Sequence, residues 1–178
     1  MSETEASKNW FARRAEVEAK KDTITFSERV GNIVGVVIGL LFVWYFVAHQ
    51  TGSTGFFTSR FGTLEALLFY GSIVFGIVSA VLRGLSGRKN VARLFDIFEA
   101  IFAAVAIAWL FIVFPFDFTH LADLFPDFLK FLLLWISNDV AKVLMVLAMI
   151  VTLVMSIYTA TFYVLVRKEL SKPATKTA

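Results

Sequence analysis

Four long runs of apolar residues, almost free of charge, constrain this chain more than anything else in it. An α-helix needs about 20 such residues to cross roughly 30 Å of hydrocarbon. In lipid, a backbone N–H or C=O finds no water, so a segment must satisfy its hydrogen bonds internally, as a helix does. The runs predict spanning helices at about 27–49, 63–82, 91–114 and 140–166. The fold class expected is an all-α membrane protein, with four transmembrane helices in a bundle over residues 25–168. Hydrophobic residues make up 58% of the chain, against about 45–50% in an average soluble domain.

The ends are polar. Residues 1–24 alternate basic and acidic side chains, and Trp10 and Phe11 are the only large apolar residues in the first half of that arm. A helix there would carry a weak apolar stripe, because Arg14 and Lys21 fall beside Trp10 and Val17. The arm is read as a solvated, partly ordered tail rather than as a membrane-surface or partner-binding helix. Residues 169–178 are read as a second, disordered tail.

Local signals place the helix ends. Thr25-Phe26-Ser27-Glu28 fits a capping box opening the first span. Thr63 is expected to cap the second, with Glu65 in its first turn. Asn90 is expected to cap the third. The third run is at the short end of what can span, with 17 uncharged residues in Ala100–Phe116, and Pro115 ends its regular helix. The fourth has 24, Val143–Val166.

Small residues recur every four positions in each run: Gly31/Gly35/Gly39, Ser72/Gly76/Ala80/Gly84, Ala100/Ala104/Ala108 and Ala148/Thr152/Ser156/Ala160. Such stripes let helix backbones approach closely in a membrane. A glycine inside a soluble helix costs roughly 1 kcal/mol relative to alanine, so three on one face imply a compensating contact. The expected neighbour of the glycine stripe is the second helix, through Ser72, Gly76 and Ala80, since a short loop favours adjacent antiparallel helices.

The distribution of charge predicts an orientation. Of 17 Lys and Arg residues, fourteen fall in the N-terminal arm through Arg29, the loop 83–93 and the C-terminal tail. Only Arg60, Lys130 and Lys142 fall on the other side. By the positive-inside rule both termini are cytoplasmic, in a cell membrane, and the long connection after Phe114 is outside. Because the basic residues segregate by membrane side, a net charge of +3 is no sign of nucleic-acid binding.

That connection, residues 117–137, is the one long segment between runs. On a helix, Asp117, His120, Asp123, Asp127, Lys130 and Asn138 fall within about 140° of arc, with Phe118, Leu121, Phe125, Phe128 and Leu132 opposite. The pattern predicts one or two short amphipathic helices across the outer mouth of the bundle, broken at Pro126. Asp117, His120 and Asp123, with His49 on the same side, are the residues able to ligate a divalent cation. Lys130 and Asn138 on the same stripe favour a plain wet face instead.

Glu99 is the remaining candidate. An acid this far along a spanning helix is costly unless paired or wet. It is read as an ion pair with Arg83 or Arg29 rather than as a proton or cation relay.

Enzyme signals are missing. There is no phosphate-cradling glycine loop, no histidine pair spaced for zinc on a helix and no nucleophile with a base nearby. The absence of cysteine excludes thiolate catalysis and disulfides. No catalytic, cofactor-binding or metal residue is assigned, and no cofactor is expected. The expected partners are the lipid bilayer and other membrane subunits or a second copy. The expected role is a non-enzymatic accessory or interaction subunit, ahead of a small oligomeric cation channel or carrier and of an intramembrane enzyme.

Overall fold

The computed structural model describes residues 10–172, and every described segment of regular structure is helical. The parts of the expected polar tails at 1–9 and 173–178 lie outside the described residues. Helix α1 covers Trp10–Lys20, α2 Phe26–Thr51, α3 Thr63–Ser86 and α4 Lys89–Val113. A 3-10 turn at Phe118–His120 and a single-turn helix α5, Asp127–Lys130, precede α6, Asn138–Leu170. Helices α2, α3, α4 and α6 are long and apolar enough to cross a membrane, as the four runs predict.

Local chemistry explains the ends. The Thr25 hydroxyl accepts from the Glu28 amide, and Glu28 Oε2 accepts in return from the Thr25 amide at 2.7 Å, so the capping box forms. Two expected caps move. Gly62 caps α3 in place of Thr63, with Glu65 Oε2 accepting from the Gly62 amide at 3.1 Å. Helix α4 starts two residues earlier than a cap at Asn90 would set, with Arg88 as cap. The Asn90 amide is bonded instead by Asp22 Oδ1 at 2.7 Å, a carboxylate from the N-terminal arm. Helix α3 runs through Arg83 and closes at Gly87, whose φ of +66° suits a residue without Cβ.

From Trp10 onward the arm is therefore not a solvated tail. Helix α1 packs along α6, with Ala15 buried against Phe162 and Val166. Glu18 pairs with Arg93 at 2.7 Å, and the chain at Asp22–Ile24 bonds back to Gly87 and Lys89. The docking face is the alanine side, opposite the Trp10/Val17 stripe that the sequence pattern draws attention to.

The four long helices do not close into a ring. Helix α2 packs on α3, α3 on α4, and α4 on α6; among the described residues α2 and α6 make no direct helix contact. The bundle expected from sequence is thus an open array in chain order. Its distal end, away from the basic loops, is held by an aromatic cluster around buried Phe56 and Phe116, with Phe46, Phe57, Phe61 and Phe69 against it. Phe57 and Phe116 also form a backbone bridge, so the first loop is tied to the segment after α4.

Segment 117–137 differs from expectation in a second way. Pro126 divides it, capping α5, but neither piece makes an amphipathic helix. One is a 3-10 turn, the other one α-turn followed by turns. The chain is held by specific tertiary bonds rather than by helical periodicity: Tyr45 donates its hydroxyl to the Leu121 carbonyl, and the Phe118 amide bonds Asn138 Oδ1 at 2.7 Å.

The glycine stripe meets α3 at one position only. A Cβ at Gly39 would lie 2.8 Å from Ile77 Cγ1, whereas Gly31 and Gly35 have nothing within 4 Å. Gly39→Leu should therefore overpack the α2–α3 contact at a cost of about 1–3 kcal/mol, read as a lower melting temperature in detergent. Gly31→Leu should not lower it, and equal losses from both would contradict this packing.

Candidate functional site

Two places gather the residues singled out by the sequence. The first is a cleft of about 400 Å³ walled by α2, α3 and α4. Gly31, Gly35 and Gly39 line it from α2, Gly76, Ile77 and Ala80 from α3, and Glu99 from α4. Glu99 reaches this wall because Gly76 leaves room: a Cβ there would sit 3.1 Å from Glu99 Oε1.

The expected ion pair of Glu99 with Arg83 or Arg29 is not formed. Arg83 is bonded to Asp96 Oδ1, which Ser79 also approaches at 3.4 Å. Depth decides between the two acids. Counted from the basic end of α4, Asp96 lies about 10 Å along the axis and Glu99 about 15 Å, at 1.5 Å per residue. Arg83 sits in the last turn of α3, level with the shallower acid. Glu99 is left half-buried with no ion partner among the described residues, about 21 Å of helix rise from Val113. Beside it, the Asn32 side-chain amide nitrogen is buried without a hydrogen-bond acceptor. The sequence marks Asn32 only as polar near a helix end, so its place in the cleft becomes visible only when α2 and α3 pack.

The second place is the distal cap. His49 is 1% exposed, wedged among Tyr45, Phe46 and Phe56. Its Nε2 lies 3.2 Å from the Leu121 carbonyl and its Nδ1 2.5 Å from the Thr54 hydroxyl. Both nitrogens are thus engaged in holding the first loop to the long segment, with Nε2 donating and Nδ1 accepting. His120 Nδ1 lies 2.8 Å from Asp123 Oδ2, and its ring closes over Gly55. Gly55 has φ +96°, and a Cβ there would come within 2.9 Å of the imidazole, so glycine answers both demands.

Asp117, His120 and Asp123 do not converge on a common point, and no group of three potential ligands forms among the described residues. Asp117 Oδ1 is already occupied, accepting from the Thr119 hydroxyl at 2.7 Å, the Thr119 amide at 3.1 Å and Asn138 at 3.2 Å. The Thr119 hydroxyl foremost, with the Thr119 amide and Asn138, holds the Asp117 carboxyl below its ordinary value of 3.8. Lys130 and Asp127 form their own surface pair at 2.8 Å.

Four helices of this length and apolarity, packed side by side, suggest a multipass α-helical membrane protein. No family model matches the chain, and no curated protein and no solved structure matches it.

The carboxylate at Asp117 caps the 3-10 turn. Its folded-state pKa is depressed, so the stability it adds is present above the unfolded value of 3.8 and fades as pH falls below it. Asp117→Ala should lose on the order of 1 kcal/mol near neutral pH, as a removed cap does. The difference in melting temperature from the parent should shrink once the pH is well below 3.8. A difference that stays constant down the acid limb would disprove the charge-assisted cap.

Proposed function

We propose that the protein is a non-enzymatic interaction subunit, which receives a transmembrane helix of another membrane protein, or of a second copy, in the cleft along α2. One observation carries this reading: Gly31 and Gly35 form an exposed glycine wall with nothing within 4 Å, in a cleft that also holds Glu99, an acid with no ion partner among the described residues. A glycine face exposed to acyl chains gives up the close packing that glycine allows. An unpaired carboxylate at that depth is costly, and a docked helix bearing a donor or basic side chain would relieve it.

Gly35→Leu tests the reading because it fills the cleft without touching the α2–α3 contact. The melting temperature in mild detergent should hold while the native mass drops to a smaller particle. An unchanged mass would mean that the wall faces lipid. A fall in melting temperature with unchanged mass would mean that the wall is closed within one chain.

The unpaired carboxylate also supports a second reading, a small oligomeric cation channel or carrier with Glu99 on the path. Cation flux into liposomes should then fall when Glu99→Gln replaces the parent, and equal flux removes this reading.

In either reading both termini are placed on the cytoplasmic side of a cell membrane, on the strength of the fourteen basic residues at that end. The chain has no cysteine, so single cysteines can be introduced cleanly. Cysteines at Ser53 and Asp123 should react with an impermeant thiol reagent in intact cells, and one at Ser86 should not. Labelling at Ser86 from outside would reverse or break the four-span topology.

A further inference from the structure

Helix α1 divides its residues in a way that the docked position makes meaningful. Trp10, Arg13, Arg14, Val17 and Lys20 fall within about 120° of arc. Ala15 and Ala19 lie on the other side and make the contact with α6. Trp10 is 54% exposed and Val17 53%, and Arg13, Arg14 and Lys20 are exposed beside them. The acids of the helix are engaged elsewhere: Glu18 turns to Arg93 at 2.7 Å, and Glu16 lies 3.5 Å from Lys20. Arg13 and Arg14 have no carboxylate partner among the described residues, and Arg14 rests over the Trp10 ring at 5.8 Å. The free face is therefore basic and aromatic.

Its height is set by α6. Ala15 sits against Phe162 and Val166, the last turns of the apolar run, and Arg167 and Lys168 follow at once. Phe11 lies 6.1 Å from Phe162. The helix thus lies where the hydrocarbon gives way to headgroups at the basic end. Tryptophan prefers that boundary, and arginine and lysine bury their stems there while the charge reaches outward.

We infer that this face of α1, Trp10/Arg13/Arg14/Val17/Lys20, is a docking surface for anionic phospholipid headgroups of the membrane that the protein spans. Charge complementarity selects the occupant, since Arg13 and Arg14, without a carboxylate partner among the described residues, attract anionic lipid at a bilayer surface. The apolar members select lipid over an acidic protein surface, because Trp10 and Val17 enter the interface as an amphipathic surface helix does. The inference does not depend on what fills the cleft.

The absence of cysteine makes Val17→Cys a unique site for a nitroxide label. The full chain is reconstituted in vesicles of phosphatidylcholine alone and of phosphatidylcholine with phosphatidylglycerol. Access of a water-soluble nickel chelate to the label is then read by electron paramagnetic resonance. The phosphatidylglycerol vesicles should give a severalfold loss of access, reversed by high salt, which screens such contacts. Arg13→Gln with Arg14→Gln should abolish the difference between the vesicles while leaving the melting temperature unchanged, because the alanine face is untouched. Equal access in both vesicles overturns the inference, including the case where a second copy or protein surface covers the label equally in both. A difference that survives the double substitution, or that ignores salt, overturns it as well.

Discussion

Connection length shapes this structure more than any single contact. Helices α3 and α4 are joined by Gly87 and Arg88 alone, so they must lie side by side and antiparallel. The first loop, residues 52–62, is longer and is tied to the segment after α4 through the Phe57–Phe116 bridge. The longest connection, from Phe114 to Ser137, is spent in tying the distal end together. Each spanning helix therefore meets its neighbour in sequence, and the first and last are left apart. Lipid does not drive helices together as water drives apolar surfaces together, so nothing requires the array to close.

Polar groups are handled differently at the two ends. At the distal end, Tyr45 and His49 bond the Leu121 carbonyl and Asp117 accepts from Thr119 and Asn138, beside the aromatic cluster around Phe56. Phe114 takes a left-handed conformation, φ +42°, just before Pro115, where proline disfavours further helix. The ring then stacks on Phe118, and Lys142 Nζ sits 4.7 Å from its face. At the basic end, the polar groups are ionic: Arg83–Asp96, Lys89–Glu28 and Arg93–Glu18 join α3 to α4, α2 to α4 and α1 to α4. Helix α4 is the common member, and it is also the helix with the shortest uncharged run.

What could be read in the sequence was local. Run length gives the four long helices, Thr25 and Glu28 give a cap, and Pro126 gives a break, because each rule acts within a few residues. What could not be read depends on partners far along the chain. Asp22 bonds the Asn90 amide across 68 positions, and a local search finds Asn90 itself as the cap. Helix α1 docks through Ala15, whose small side chain carries almost no weight in an apolar-stripe search but permits close approach to Phe162 and Val166. Segment 117–137 has a helical polarity pattern, yet tertiary hydrogen bonds to Leu121 and Phe118 hold it in turns. Intrinsic pattern is a weak constraint where a chain is tied at several points.

The pairing at the basic end accounts for the state of Glu99. Asp96 and Glu99 are three residues apart on one face, so a basic side chain opposite can serve either. Arg83 is fixed near the end of α3 because Gly87 stops that helix one turn later. From there it meets Asp96, and the Ser79 hydroxyl approaches the same oxygen. Arg29 points the other way, toward the α3 C-terminus, where its Nη2 lies 3.8 Å from the Cβ position of Gly87. Lys89 and Arg93 are taken by Glu28 and Glu18. The cations of the surrounding elements are thus committed at shallower levels before Glu99 is reached. Its carboxylate extends instead over Gly76 into the cleft that the glycine wall of α2 also lines. The open array and the unpaired acid are consequences of the same chain-order packing: a ring closed by α6 against α2 would cover both together.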